Sequence, residues 1–248
     1  MPKDIRKIIR KYTASFLKRF YILTNDGYSV GSAYGARFLF DWRHSLDKKV
    51  ALEIYERNQI TYLVSALDKI RPDMFIDIGS HAALYSIIIK TQLTDLEVHA
   101  FEPDRTNLCQ LYANLFLNNL QSSIRVHEYG LSDISGTTKF ETSVTSSSRG
   151  TRRISHTGNT EIQVKPLDDA LTDRGRVAAI KIDVEGHEQH VVAGAEDFLR
   201  ENKCFLQIES SPNDLEQLQR QLSGLGYRYI TKIHDHYFTN FNEMPDGI

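Results

Sequence analysis

Four carboxylates stand where short apolar runs of the sequence end. Asp77 and Glu102 follow two runs that predict β-strands, and Asp183 and Glu209 follow two later ones. Because the carboxyl ends of parallel strands meet at one edge of a sheet, these side chains are expected to share a site. Asp77 could accept a hydrogen bond from an ammonium group, and Glu102 could accept from both ribose hydroxyls of an adenosine ligand.

The loop after the first run is suited to close approach of a ligand. Gly79 follows Asp77 closely, and a helical pattern begins near Ala82. Glycine lets the backbone come near a ligand, and the start of a helix offers free N–H groups to an anion. The loop lacks the three glycines of a dinucleotide site, which disfavours a nicotinamide-dependent oxidoreductase.

The most charged block is Ile180–Glu188, in which Lys181, Asp183 and Glu185 alternate with apolar residues. A central parallel strand is normally apolar on both faces, so charges inside it must be paired or used. The sequence leaves three interpretations open: an internal Lys181–Asp183 ion pair, an active-site carboxylate at Asp183, and a metal site. The metal site would draw on Asp183, Glu185, His187 and Glu209.

From residue 73 onward, apolar runs alternate with helical patterns. The predicted strands cover residues 74–78, 97–101, 125–127, 177–184, 205–208, 227–233 and 237–241. Parallel neighbours need long crossover connections, and helices of this length supply them. The pattern predicts an α/β, Rossmann-like fold with a mostly parallel, doubly wound sheet and a terminal antiparallel hairpin.

Residues 1–72 are expected to form an N-terminal helical cap or appendage to a main domain at 73–248. Helical periodicity extends over Leu46–Ile70 and stops before Pro72, while residues 27–42 give no clear pattern. Residues 1–25 hold seven basic side chains, one acidic side chain and apolar residues at helical spacing. This segment could lie on an anionic membrane surface or pack on the domain.

The composition excludes several classes of protein. The 248 residues include 30 basic and 32 acidic ones, a net charge of −2 that argues against a general nucleic-acid binder. No apolar run approaches the roughly 18 residues of a membrane span. Cys109 and Cys204 form neither a disulfide framework nor a zinc motif, so a reducing, cytoplasmic location is expected, with contact at the inner membrane face as the alternative.

Five short motifs lie along residues 73–210: Phe75–Gly79, Glu102–Asp104, Leu131–Asp133 with Gly136, Pro166–Asp169 and Ile180–Glu188. Together they resemble the FkbM family of S-adenosylmethionine-dependent methyltransferases, and the last block is the most specific. The resemblance implies a class I methyltransferase fold with S-adenosylmethionine at the carboxyl ends of the first three strands.

The resemblance also implies a role for each matching position. Asp77 and Gly79 would face the methionine part of the cofactor, and Glu102 would hold its ribose. Ser132 and Asp133 would lie near the adenine. Asp183 would face the acceptor.

Two positions depart from the family pattern: His81 stands where asparagine is usual, and Ala83 where glycine is usual. His81 would then be a cofactor contact that either donates a hydrogen bond or crowds the site. A methyltransferase fold that has lost catalysis and serves as a binding or scaffold protein is therefore an alternative.

The expected reaction is methyl transfer to a hydroxyl of a sugar-containing acceptor, since many members of the family modify sugars or natural products. An alcohol needs help to lose its proton, and Asp183 is the expected base, with His187 and Glu209 as alternates. Transfer to nitrogen is the competing possibility, and it needs no strong base.

A polar stretch, Thr142–Thr160, is the expected specificity element. It is rich in serine and threonine and carries Arg149, Arg152 and Arg153, whose guanidinium groups suit a phosphate-bearing or polyhydroxylated ligand. These arginines and Glu185 are predicted to contact a small-molecule or glycan acceptor. A solvated loop without a ligand is the alternative.

Overall fold

The computed structural model describes residues 3–141, 153–154 and 158–245, and for residues 3–12, 14 and 153 it describes the backbone alone. The helices are α1 (Lys3–Thr24), α2 (Ser45–Ala51), α3 (Arg57–Ile70), α4 (Leu84–Gln92), α5 (Arg105–Leu117), α6 (Leu167–Ala170), α7 (Glu188–Ala193), α8 (Glu196–Glu201) and α9 (Leu215–Gly224). The strands are β1 (Tyr28–Ala33), β2 (Ala36–Asp41), β3 (Met74–Ile78), β4 (Glu97–Phe101), β5 (Ile124–His127), β6 (Gly130–Leu131), β7 (Gly136–Glu141), β8 (Arg153–Ile154), β9 (Thr160–Lys165), β10 (Val177–Ile182), β11 (Lys203–Ile208), β12 (Arg228–Lys232) and β13 (His236–Thr239).

A seven-stranded sheet in the order β12-β13-β11-β10-β3-β4-β5 forms the centre of the molecule. Strands β5, β4, β3, β10 and β11 are parallel neighbours, whereas β13 is antiparallel to both β11 and β12. The predicted doubly wound sheet with its terminal hairpin is therefore confirmed. The strand order reverses between β3 and β10, which is where such sheets bind ligands.

A second, four-stranded sheet in the order β6-β9-β7-β8 lies between β5 and β10, in a stretch whose sequence is mostly polar and for which no strands were predicted. Phe140, Ile162 and Val164 form its small hydrophobic cluster, with Ile154 packed against them. The alternation of Ile162 and Val164 with polar residues in β9 is the signal for a strand with one buried face.

The region before residue 73 is not purely helical, which corrects the prediction of a helical cap. Strands β1 and β2 form an antiparallel hairpin, and Tyr34 and Gly35 turn it with positive φ angles of 52° and 81°. Two successive residues of positive φ are what a tight two-residue hairpin needs. The helix predicted over Leu46–Ile70 is two helices, α2 and α3, because Glu53 and Glu56 adopt left-handed conformations between them.

The side chains of this region share one hydrophobic cluster with the main sheet. Phe38 and Phe40 of β2 and Leu67 of α3 belong to the same buried cluster as Phe75 of β3. This core extends across residue 72, and the division of the chain into two parts at that residue stays a prediction. Among the described residues, no helix combines the length and the apolar character that crossing a bilayer requires.

A buried asparagine fastens the hairpin to the main sheet's helices. Asn114 of α5 is 1% exposed; its Oδ1 accepts from the Leu39 backbone N–H at 2.8 Å, and its Nδ2 donates to the Ala82 carbonyl at 2.9 Å. Asn118 makes the same kind of contact to both backbone groups of Arg37, but near the surface. Asn114 therefore links the hairpin to the loop before α4.

Replacing Asn114 by alanine is expected to lower the free energy of unfolding by about 1–3 kcal/mol, since the buried Ala82 carbonyl and the partly buried Leu39 N–H lose their partner. The matched variant Asn118→Ala is expected to cost less than about 1 kcal/mol, because water can replace its contacts. Urea unfolding of both variants measures the difference. Equal losses would show that burial does not govern these contacts.

Candidate active site

A cleft with about 900 Å³ of open space lies at the carboxyl ends of β3, β4, β10 and β11. It is lined by Leu46, Tyr55, Ile78, Gly79, His81, Phe101, Glu102, Pro103, Asn107, Gly130, Leu131, Phe140, Ile154, Ile162, Asp183, Val184, Glu185, His187 and Glu209. Three of the four predicted strand-end carboxylates therefore face one space. A second cavity continues from it beneath the hairpin and shares Leu46, Tyr55, Gly79, His81 and Asp183 with it.

The loop after β3 brings backbone close to the cleft. Gly79 has a φ of +80°, and a Cβ at this position would lie 1.9 Å from the carbonyl oxygen of Asp183, so no other residue fits. His81 and Ala83 also adopt positive φ angles, of 51° and 61°. Alanine tolerates this conformation at a cost that glycine avoids, which explains physically why glycine suits the position of Ala83.

Asp77 is turned toward α4 and the second cavity. It is 1% exposed, and its Oδ2 accepts from the backbone N–H and the hydroxyl of Ser86 at 3.1 and 2.6 Å. Its Oδ1 has no hydrogen-bond partner among the described residues. Burial raises the pKa of Asp77, although the charge of Lys181 opposes the shift.

Glu102 presents a buried carboxyl group to the cleft. Its Oε1 accepts from the Asp104 backbone N–H at 2.7 Å, and its Oε2 accepts from the His81 backbone N–H at 2.9 Å. The side chain of Asn107 also bonds to it, and the Asn107 Oδ1 has no partner among the described residues. Burial raises the pKa of Glu102 to about 8, so the group is mainly protonated at neutral pH when the cleft is empty of ligand.

Asp183 and Glu209 face each other across the ends of β10 and β11. The Lys181 ammonium lies 2.7 Å from Asp183 Oδ2, which confirms the ion pair considered from the sequence. Burial opposes the charge on Asp183, but Lys181 and the hydrogen bond from Glu209 outweigh it and hold its pKa below the usual range. The same hydrogen bond, together with burial, raises the pKa of Glu209 to about 9. At neutral pH Asp183 is the carboxylate and Glu209 is the proton donor.

His187 lines the cleft as a neutral imidazole. Burial lowers its pKa to about 4, its Nε2 lies 2.9 Å from Ser132 Oγ, and its ring stacks on His190. Ser132 and Asp133, predicted near the adenine, are not among the residues that line the cleft: Ser132 bonds to His187, and Asp133 pairs with His190 at 3.2 Å. Gly130 and Leu131, which precede them in the sequence, line the cleft in this part of the chain.

The predicted acceptor contacts are only partly described. Glu185 lines the cleft in a left-handed conformation, with a φ of 55°. Arg149 and Arg152 lie outside the described residues, and Arg153 is described only as a backbone position of β8.

Three of the four proposed metal ligands are close together. Oxygens of Asp183, Glu185 and Glu209 lie within 4.8 Å of one another, and His187 is not part of this group. Lys181 and protonated Glu209 already bond to Asp183, so the negative charge of Asp183 is compensated within the protein. A metal at this position stays a prediction.

Sequence reasoning missed the side chains that close the cleft from other parts of the chain. Leu46 and Tyr55 come from the region around α2, Asn107 from α5, and Phe140 and Ile162 from the small sheet. The alternation of Ile162 and Val164 with polar residues in β9 could have indicated Ile162, but β7 holds Phe140 as its single apolar side chain and gives no such signal. Nothing local in the sequence marks Tyr55 as part of a site.

Residues 77–229 match the model of the methyltransferase FkbM domain. The chain is 30% identical over 152 residues to the hexuronic acid methyltransferase AglP of Haloferax volcanii, across 59% of this chain and 61% of that protein.

Two solved structures are similar to this chain. An S-adenosylmethionine-dependent methyltransferase from Agrobacterium tumefaciens superposes with a TM-score of 0.50 at 8% identity, covering 86% of this chain and 69% of the other. A methyltransferase FkbM from Methylobacillus flagellatus gives 0.49 at 17% identity, covering 94% and 60%. This chain thus spans about three fifths of the length of AglP and of the Methylobacillus protein. The fold is that of the class I methyltransferases, and the chain belongs to the family of FkbM methyltransferase domains.

Proposed function

We propose that this protein transfers a methyl group from S-adenosylmethionine to a hydroxyl of a sugar-containing acceptor. The observation that carries the proposal is the ionised carboxylate of Asp183 on the wall of the cleft, beside a carboxyl group, Glu209, that keeps its proton. An acceptor hydroxyl needs such a proton acceptor.

The residues of the cleft fit an adenosine ligand. Glu102 retains acceptor capacity for a ribose hydroxyl, since a carboxylate accepts about four hydrogen bonds and the two backbone N–H groups and the Asn107 side chain use three of them. Pro103, Leu131 and Phe140 provide apolar surface for a planar base. The Asn107 Oδ1, which has no partner within the described part of the chain, offers an acceptor for an amine N–H.

The bound cofactor would supply an electrophilic methyl group; the protein must position the acceptor, exclude water and take up its proton. Asp183 is suited to the last task although its pKa is low. An alcohol becomes a far stronger acid than any carboxylic acid as its oxygen gains a methyl group, so Asp183 can take the proton in step with transfer. Lys181 keeps Asp183 ionised until then.

The other two candidate bases are less available at neutral pH. Glu209 carries a proton, with a pKa of about 9, and donates it toward Asp183. His187 is neutral, but its Nε2 is engaged with Ser132. We assign Asp183 as the proton acceptor and Glu209 as the residue that positions it.

Two observations support a sugar acceptor. The similar protein AglP is a hexuronic acid methyltransferase. The cleft also combines polar groups, among them His81 and Glu185, with the ends of β7 and β8, where Phe140 and Ile154 line the wall. Arg149 and Arg152 lie in the sequence between these two strands, and Arg153 belongs to β8. We propose that the guanidinium groups of these arginines and Glu185 contact the acceptor.

The departures at His81 and Ala83 do not favour the alternative of an inactive scaffold. His81 donates its backbone N–H to Glu102, and Ala83 holds the left-handed conformation that the loop requires.

To test the function, purified protein would be incubated with methyl-labelled S-adenosylmethionine and a panel of uronic acids, neutral sugars and amino sugars. Label in a methyl ether of a sugar supports the proposal, whereas label only in the methyl ester of a uronic acid or only on nitrogen contradicts it.

Cofactor binding is expected to release a proton from Glu102. Ribose hydroxyls donate to the ionised form, so binding should strengthen as the pH rises through about 8 and level off above it. Below that pH, about one proton should leave per cofactor bound. Calorimetry with S-adenosylhomocysteine in buffers of different ionisation heat measures this number.

Two variants identify the source of that proton. Glu102→Gln should abolish the release and weaken binding. Glu209→Gln removes another carboxyl group of the cleft whose pKa is raised, to about 9, and should leave the release intact. Release that disappears only in Glu209→Gln would contradict the role of Glu102.

Replacing Asp183 by asparagine is expected to lower kcat by about 10²–10⁴-fold while cofactor binding persists, because the acceptor loses its base. In the matched variant Glu209→Gln, the amide still donates to Asp183, so kcat should fall by no more than about tenfold. Its pH profile should also lose the step near 9. An Asp183→Asn enzyme of nearly full activity would favour transfer to nitrogen.

A further inference from the structure

The helix α1 exposes an apolar face that the core does not use. Phe16, Phe20 and Leu23 are 68%, 47% and 84% exposed. At a spacing of four and three residues they share one side of the helix. The rings of Phe16 and Phe20 stack with their centroids 6.4 Å apart, so the two form one continuous apolar surface.

A neighbouring side of the same helix attaches it to the domain. Leu17 and Tyr21 pack against the main hydrophobic cluster, and Tyr21 stacks on Trp42 with centroids 5.4 Å apart. The backbone N–H groups of Asn25 and Gly27 both donate to the Tyr21 carbonyl, which ends the helix firmly at this point. Docking by these contacts leaves the face of Phe16, Phe20 and Leu23 turned away from the core.

The sequence continues the apolar pattern toward the amino end of α1. Ile5, Ile9 and Tyr12 stand at the helical spacing of Phe16, Phe20 and Leu23, along a helix of 22 residues that is about 33 Å long. Between them lie the basic residues Lys3, Arg6, Lys7, Arg10, Lys11, Lys18 and Arg19. An apolar face flanked by many cations is the pattern of a helix that lies in the plane of a membrane interface.

The charge of the chain is divided unequally. Residues 1–25 carry a net charge of +6, and the remainder carries −8, although the whole chain is near neutral. An anionic surface would therefore attract α1 and repel the rest of the molecule, so that this helix is the part that makes contact. A second copy of the chain is a poor occupant of the face, because two such helices would bring like charges together.

We propose that α1 docks on the surface of an anionic phospholipid bilayer, with Phe16, Phe20 and Leu23 inserted among the lipids and the basic side chains at the headgroups. The binding does not depend on the proposed methyl transfer. It would hold the cleft near acceptors that reside at a membrane.

Sedimentation of the full chain with lipid vesicles tests the proposal. Binding is expected to phosphatidylcholine vesicles that contain phosphatidylglycerol, to be much weaker with phosphatidylcholine alone, and to fall as salt screens the charges. The combined variant Phe16→Ser/Phe20→Ser/Leu23→Ser should bind at least tenfold more weakly. Phe116→Ser, also 68% exposed but on α5, is the matched control and should bind like the native protein.

A fluorescence reading keeps folding separate from binding. Trp42 is the single tryptophan and stacks on Tyr21, so unchanged emission of the triple variant in solution shows that α1 remains docked. Absence of binding to the anionic vesicles, or equal binding by the triple variant with unchanged emission, would overturn the proposal. Lipid-free dimers of the native chain that the triple substitution dissociates would also overturn it, since the face would then serve self-association.

Discussion

A cation buried in the middle of the main sheet governs the arrangement around it. Lys181 is 3% exposed in β10, its register partner in β3 is Asp77, and its ammonium lies 2.7 Å from Asp183. Losing one partner of a buried ion pair costs about 3–5 kcal/mol, so these carboxylates cannot move far from the ammonium. The ends of β3 and β10, where the strand order reverses, are held together by this charge. The cleft forms at that point.

Further negative charges reach Lys181 from distant parts of the chain. Glu56 precedes α3 and Asp235 lies in the turn between β12 and β13, and both act on the lysine's charge. Gln59 joins them, with its Nε2 3.1 Å from Glu56 and 2.8 Å from Asp235. The amino-terminal region and the carboxyl-terminal hairpin are thus tied to the same buried group. This explains how Tyr55, next to Glu56, becomes part of the cleft wall.

Burial and neighbouring charges give similar side chains different protonation states. Asp183 stays ionised because Lys181 is bonded to it. Glu102 accepts instead from backbone and amide donors, and burial raises its pKa to about 8. Glu209 is raised further, to about 9, because its closest partner is itself a carboxylate. Groups with separated pKa values can divide the tasks of binding, positioning and proton transfer.

The sequence by itself determined the succession of the main strands and helices along the chain. It also determined that carboxylates lie at the ends of four of those strands. These are properties of local periodicity and of parallel-sheet geometry. Only the tertiary structure decided that the small sheet covers the cleft, that Asp77 turns toward Ser86, and that Glu209 shares a proton with Asp183. Such features depend on contacts between distant segments and on desolvation, which no short stretch of sequence encodes.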